Sequence, residues 1–242
     1  MSTTARPLPD RRPLLRRVLR RVMYSVGGVL FLLVAFGVAV HIKAFRPFFA
    51  RLGIGCPAWG VSANQVMATR ERGIGSLRGS TVARERPALG LSLDRTTEQD
   101  ALAFARAAGL SCEEKTLGLQ LVECVGHAPS IFGVDDGGRD VLSLSFDPRG
   151  VLITVDVLRR GLDGAHAERV LADATSVLEE RVGPPSEESG ARTDAFLSAA
   201  PMRTAVARWR YSDYLAFVTA SHLPSGICIH EIYQSALAPT SS

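Results

Sequence analysis

The stretch Val22–Val40, VMYSVGGVLFLLVAFGVAV, constrains this chain most, because its 19 residues carry no formal charge. At about 1.5 Å rise per residue a helix of that length reaches roughly 28 Å, close to the hydrocarbon thickness of a bilayer. A helix lying on a soluble core keeps a polar face, and this stretch has none. It predicts a transmembrane helix over 22–40. Ahead of it, seven arginines against Asp10 leave +6 over residues 1–21; behind it stand Lys43, Arg46 and Arg51. The positive-inside rule then places residues 1–21 in the cytoplasm as a disordered Arg-rich tail and the bulk outside. The expectation is a single-pass protein of the bacterial inner membrane with an extracytoplasmic, periplasmic domain, touching lipid through 22–40 and the flanking arginines. A cleaved signal peptide fits less well. The apolar run is long for one, and Gly37-Val38-Ala39 is a weak small-x-small site.

The overall charge of +4 conceals an asymmetry. Residues 41–86 add another +6, so 87–242 net −8. An acidic outer region lacks the basic footprint of a nucleic-acid partner. Four cysteines, Cys56, Cys112, Cys124 and Cys228, follow the span. In an oxidising compartment an even count predicts disulfides, with three possible pairings. Cys112 and Cys124 flank a short helix-to-strand connection, which favours joining them. Cys228 is then a buried thiol or the partner of Cys56.

Residues 41–87 read as a juxtamembrane segment and linker. Ser62-Ala63-Asn64-Gln65 forms a capping box opening a helix to about Arg72, stopped by Gly73. The glycines at 73, 75 and 79 have the wrong spacing for a dinucleotide site, so 73–88 reads as a flexible hinge. An outer domain over 88–235 follows, with a tail at 236–242. Leu89–Asp94 alternates like a short strand. Thr96–Gln99 caps a helix bearing Leu102, Ala105 and Ala108 and ending at Gly109. Strands are predicted at Leu119–Cys124, Val141–Phe146 and Val151–Val157, the last two joined by the turn Asp147-Pro148-Arg149-Gly150. Asp163 caps a second helix with an apolar stripe of Ala167, Val170, Leu171, Ala174, Val177 and Leu178, stopped by Gly183-Pro184-Pro185. A polar loop spans 186–194. Strands at Thr204–Tyr211, Tyr214–Ala220 and Ile227–Tyr233 complete the domain. The predicted fold class is α+β, with two helix–three-strand units forming an antiparallel sheet covered by helices.

The helix running into Val182-Gly183-Pro184-Pro185, followed by a strand carrying Trp209-Arg210-Tyr211, resembles the repeating unit of small bacterial envelope modules. These are the outer-membrane-assembly lipoproteins of the SmpA/OmlA type and the β-lactamase-inhibitory-protein fold. The Phe146-Asp147-x-x-Gly150 turn is similar to turns there. The resemblance implies helices packed on one face of an antiparallel sheet and a role in protein binding. It covers short patches, and the chain lacks the lipidated cysteine of the lipoproteins, so it assigns no functional residue.

Signatures of chemistry are sparse. Cys124-x-x-His127 and Cys228-x-His230 are half-sites at best for zinc. Asp135–Asp140 lacks the spacing of a calcium loop. No G-x-S-x-G, H-E-x-x-H or S-x-x-K motif occurs. Neither cofactor nor metal is expected. Trp209, Tyr211, Tyr214, Phe217 and Tyr233 read either as sheet core or, with Arg208 and Arg210, as a partner surface. The functional expectation is a non-catalytic binding or scaffolding domain for a protein partner in the envelope. The alternative is an envelope hydrolase or thiol-dependent enzyme, for which Cys228 beside His230 is the one sequence-local pair.

Overall fold

A computed structural model describes residues 62–126 and 140–237. They belong to a compact unit, Val61–Ser242. The predicted tail 1–21, the span 22–40, Cys56, His127 and the Asp135 turn lie outside the described residues. Among the described residues no helix is long and apolar enough to cross a membrane. The single-pass, inner-membrane placement is corrected accordingly: no described element supports it, and the functional reading below does not use it.

In order, the elements are α1 (Ala63–Gly75), β1 (Pro87–Ala88), β2 (Leu91–Ser92), α2 (Glu98–Ala107), β3 (Ser111–Leu117), β4 (Leu119–Gly126), β5 (Asp140–Phe146), β6 (Leu152–Leu162), α3 (Gly164–Arg181), β7 (Glu187–Ser189), α4 (Asp194–Leu197), β8 (Thr204–Arg210), β9 (Tyr214–Leu223) and β10 (Gly226–Ser235). The expected fold class is overturned here. In place of two helix–three-strand units there is one large eight-stranded sheet with few helices, in the order β3-β4-β5-β6-β10-β9-β8-β7. Every neighbour pair in it is antiparallel. The extra strands are β3 and β7, polar edges whose sequences SCEEKTL and EES show no apolar alternation. Each half is a meander of four consecutive strands preceded by one main helix.

Local chemistry sets the boundaries. Ser62 and Gln65 cap α1 reciprocally, and the helix runs past Gly73 to Gly75. Thr97, one residue later than expected, caps α2 in a reciprocal box with Asp100. The side chain of Asp163 accepts from the His166 amide and starts α3. At the β5–β6 turn, Asp147 Oδ1 accepts from the amides of Arg149 and Val151, at 2.9 and 3.0 Å. Gly150 there has φ +78, in the left-handed region that glycine adopts at least cost.

Burial alternates along the strands. Val122, Leu142, Leu144, Val155, Val157, Ala216, Val218, Ala207 and Trp209 are fully buried on one face. Ala101 and Ala105 of α2, and Ala167, Val170, Leu171 and Leu178 of α3, join them in one core. α3 packs over β9 and β10. Its predicted stripe holds except at Val177, which is 47% exposed. The expected flexible hinge is fastened instead. The Gly79 amide reaches the Tyr211 carbonyl, the Ser212 amide the Thr81 carbonyl, and the Ala83 amide Asp213 Oδ1. A Cβ on Gly79 would run into the Arg210 carbonyl.

Cys112 and Cys124 stand directly opposite each other on β3 and β4 and are joined in a disulfide, as the sequence predicts. Cys228 is a free thiol.

Two stability predictions follow from this packing. Leu171→Asp places an unpaired charge in the core, a cost of several kcal/mol, on the order of total domain stability. The variant should lose its cooperative melting transition. Replacing both Cys112 and Cys124 by alanine should cost roughly 3 kcal/mol in the chain-entropy account of so short a loop. An unchanged urea midpoint would contradict that.

Candidate functional site

The second face of the sheet is the feature that could meet another molecule. One row crosses all eight strands with each neighbour directly opposite the next: Glu113, Glu123, Ser143, Asp156, Ile232, Phe217, Arg208 and Glu187. Its central six residues are half-buried and its two ends exposed, whereas the residues alternating with them are buried. A neighbouring row brings Val125, Val141, Leu158, His230, Thr219 and Val206 to the same face. Among the described residues α1 alone packs on this face, at one end, where Ile74 packs with Leu215, Leu77 and Phe217. Arg70 of α1 donates to the Ser235 and Ile153 carbonyls, at 2.6 and 3.3 Å, and fixes the helix there. The remainder is an open, mixed surface. Apolar Val125, Val141, Leu158 and Ile232 lie among ion pairs.

Those pairs have a pattern. Lys115 bridges Glu123 at 2.9 Å and Glu113 at 3.3 Å, and the Glu123 hydrogen bond is the main reason its ammonium pKa is raised. At the other end Glu187 accepts from both Arg208 and Arg210, at 2.6 and 2.9 Å. The Arg208 hydrogen bond holds the Glu187 carboxyl below its usual range. In the centre, His230 Nε2 lies 2.9 Å from Asp156 Oδ1. That contact crosses the β6–β10 junction between the two halves. On the covered face the same junction is crossed by Arg159, which donates to Glu231 Oε1 at 2.6 Å, while the Tyr233 hydroxyl donates to Glu231 Oε2 at 2.5 Å. All three of those side chains are buried.

The expected aromatic partner surface divides. Trp209 and Tyr214 are fully buried. The Trp209 Nε1–H donates to the Gly183 carbonyl at 2.8 Å, and the Tyr214 hydroxyl to the Pro87 carbonyl at 2.6 Å. Half-buried Tyr211 donates to the Val182 carbonyl at 3.0 Å. Trp209 and Tyr211 therefore dock the end of α3 onto the sheet, and the two patches Val182–Pro185 and Trp209–Tyr211 meet. Arg208 and Arg210 remain on the open face. Sequence reading missed its β3–β6 half, including Glu123, Lys115 and Asp156. Asp156 could have been found from the alternation of β6, which sets it opposite the buried Val155 and Val157.

Among the described residues no hydrogen bond joins the Cys228 thiol to a base. Burial pushes the Cys228 thiol above its ordinary pKa, with Arg160 opposing only weakly. His230, two residues along the strand, hydrogen-bonds through Nε2 to Asp156. Cys124 is committed to the disulfide.

The Asp156–His230 pair generates a pH prediction. Asp156's hydrogen bond is the main cause raising the His230 pKa, burial opposes it, and the charges of Asp156 and Glu231 add to the rise. A histidine whose folded pKa exceeds its unfolded value, near 6.5, contributes stability that is complete below that value. The contribution is lost as pH rises through the folded pKa. His230 is 39% exposed, so solvent screening keeps the effect small. Melting temperature should fall as pH rises across this window, and Asp156→Asn should flatten the slope. Equal slopes in parent and variant would refute the coupling.

No known protein family matches this chain, and neither does any curated protein or solved structure.

Proposed function

We propose that this chain is a non-catalytic binding or scaffolding domain that holds a protein partner on the open face of its sheet. The observation that carries the proposal is the one-sided cover. α2 and α3 bury one face, whereas among the described residues the other is half-exposed across its six central strands and exposed at both edges. Aliphatic side chains set among ion pairs make a mixed surface of the kind that meets another protein. The acidic balance of 87–242 weighs against a nucleic acid. The likeness of 163–233 to envelope helix-plus-sheet modules, whose roles are protein binding, points the same way.

Photo-crosslinking in intact cells tests this reading. A crosslinker at Thr219 or Ser143 on the open face should give one predominant adduct. A crosslinker at Arg169, on α3, should not. Ser143→Arg should abolish the adduct without lowering the melting temperature. Equal adducts from both sides, or an adduct indifferent to Ser143→Arg, would overturn the assignment.

A further inference from the structure

The two edges of the sheet are built differently. β7 is three residues long, and its Glu187 and Glu188 pair with arginines. An edge of three residues offers too few backbone groups to pair with another chain, whereas both edges carry charge. β3 has seven residues and pairs with β4 without a bulge from Ser111↔Val125 to Leu117↔Leu119. The Cys112–Cys124 disulfide fastens it to β4, so it cannot fray as edge strands do. Among the described residues no strand pairs with its outer edge. Alternate residues of an edge strand turn N–H and C=O outward, a template for another strand.

We propose that β3 is a self-association edge: two copies of this chain pair β3 with β3, antiparallel, about a two-fold axis at Glu114, making one continuous sheet across the dimer. This goes beyond the open-face reading and does not depend on it. The register follows from charge. Side-chain alternation allows only registers that keep like faces together. An axis at Glu114 sets Glu113 opposite Lys115 of the other copy, twice by symmetry, and sets Cys112 opposite Thr116. An axis at Glu113 or at Lys115 also sets a charge against itself but forms no opposite-charge pair. Within one copy Lys115 already lies between Glu113 and Glu123, so the pairing extends an existing network. Glu114 facing its own copy opposes the dimer, but it is exposed to solvent. Pairing one edge buries less than about 1,000 Å², so the association is weak and concentration-dependent.

Sedimentation and crosslinking of the full-length protein test this. In a Cys56→Ser, Cys228→Ser background, Glu114→Cys should give a disulfide-linked dimer under mild oxidation. Glu113→Lys and Lys115→Glu should each weaken the dimer about tenfold, the scale expected for reversing two cross-strand pairs. An equimolar mixture of those two variants should restore it as a heterodimer, because their β3 edges become complementary. If Lys115→Glu melts early, the crosslink and Glu113→Lys carry the test. A protein that stays monomeric at every concentration, or a dimer unaffected by Glu113→Lys, would overturn the proposal.

Discussion

The pairing of β6 with β10 is the interaction on which the rest of the structure depends. In the sheet of the described residues it is the one strand pairing between two four-stranded meanders. Without it the core formed by α2, α3 and both halves would be split down its middle. Its register is enforced from both sides. Asp156–His230 closes the solvent face and Arg159–Glu231–Tyr233 the buried one. A buried ion pair adds little net stability, because desolvation consumes most of the attraction. It does punish error. A slip of one residue would send Arg159 and Glu231 to opposite faces, leaving one of them buried without the other. The sheet can slide along this junction only by breaking both contacts.

The same junction explains why the open face is continuous. Each half brings its helix to the same side, so the other side becomes one surface eight strands wide. α1 sits at one end of it, anchored by Arg70 on backbone carbonyls. The ion pairs at Lys115 and at Glu187 then occupy opposite flanks, leaving the aliphatic residues between them.

Much of this was legible in the sequence, and the rest was hidden for identifiable reasons. The caps at Ser62 and Asp163, the Asp147 turn and the α3 stripe are local, and they fall where the residues indicate. The disulfide was accessible because two cysteines flanking a short connection have few other partners. β3 and β7 were hidden because an edge strand exposed on both faces has no apolar alternation. That omission turned two four-strand halves into two three-strand units. The segment 73–88 looks like a linker by composition, yet Gly79 serves close approach to Tyr211 and Arg210, a tertiary fact. Alternation placed Trp209 apart from Arg208 and Arg210 but could not say which side the helices cover. Nothing local announces that β6 and β10 meet, so the breadth of the open face was beyond sequence reading.

That junction also bears on how the chain reaches its structure. Within each meander a strand meets its neighbour across no more than 14 intervening residues, so those contacts close small loops. His230 and Asp156 are 74 residues apart in sequence, and Arg159 and Glu231 are 72 apart. Loop-closure entropy rises with such separations, and contact order slows folding more than it weakens the folded state. The topology therefore keeps the contacts inside each half local and puts the largest loop-closure cost at their union. Breaking that union would leave β6 and β10 as two open edges, the condition in which pairing with a wrong strand is easiest.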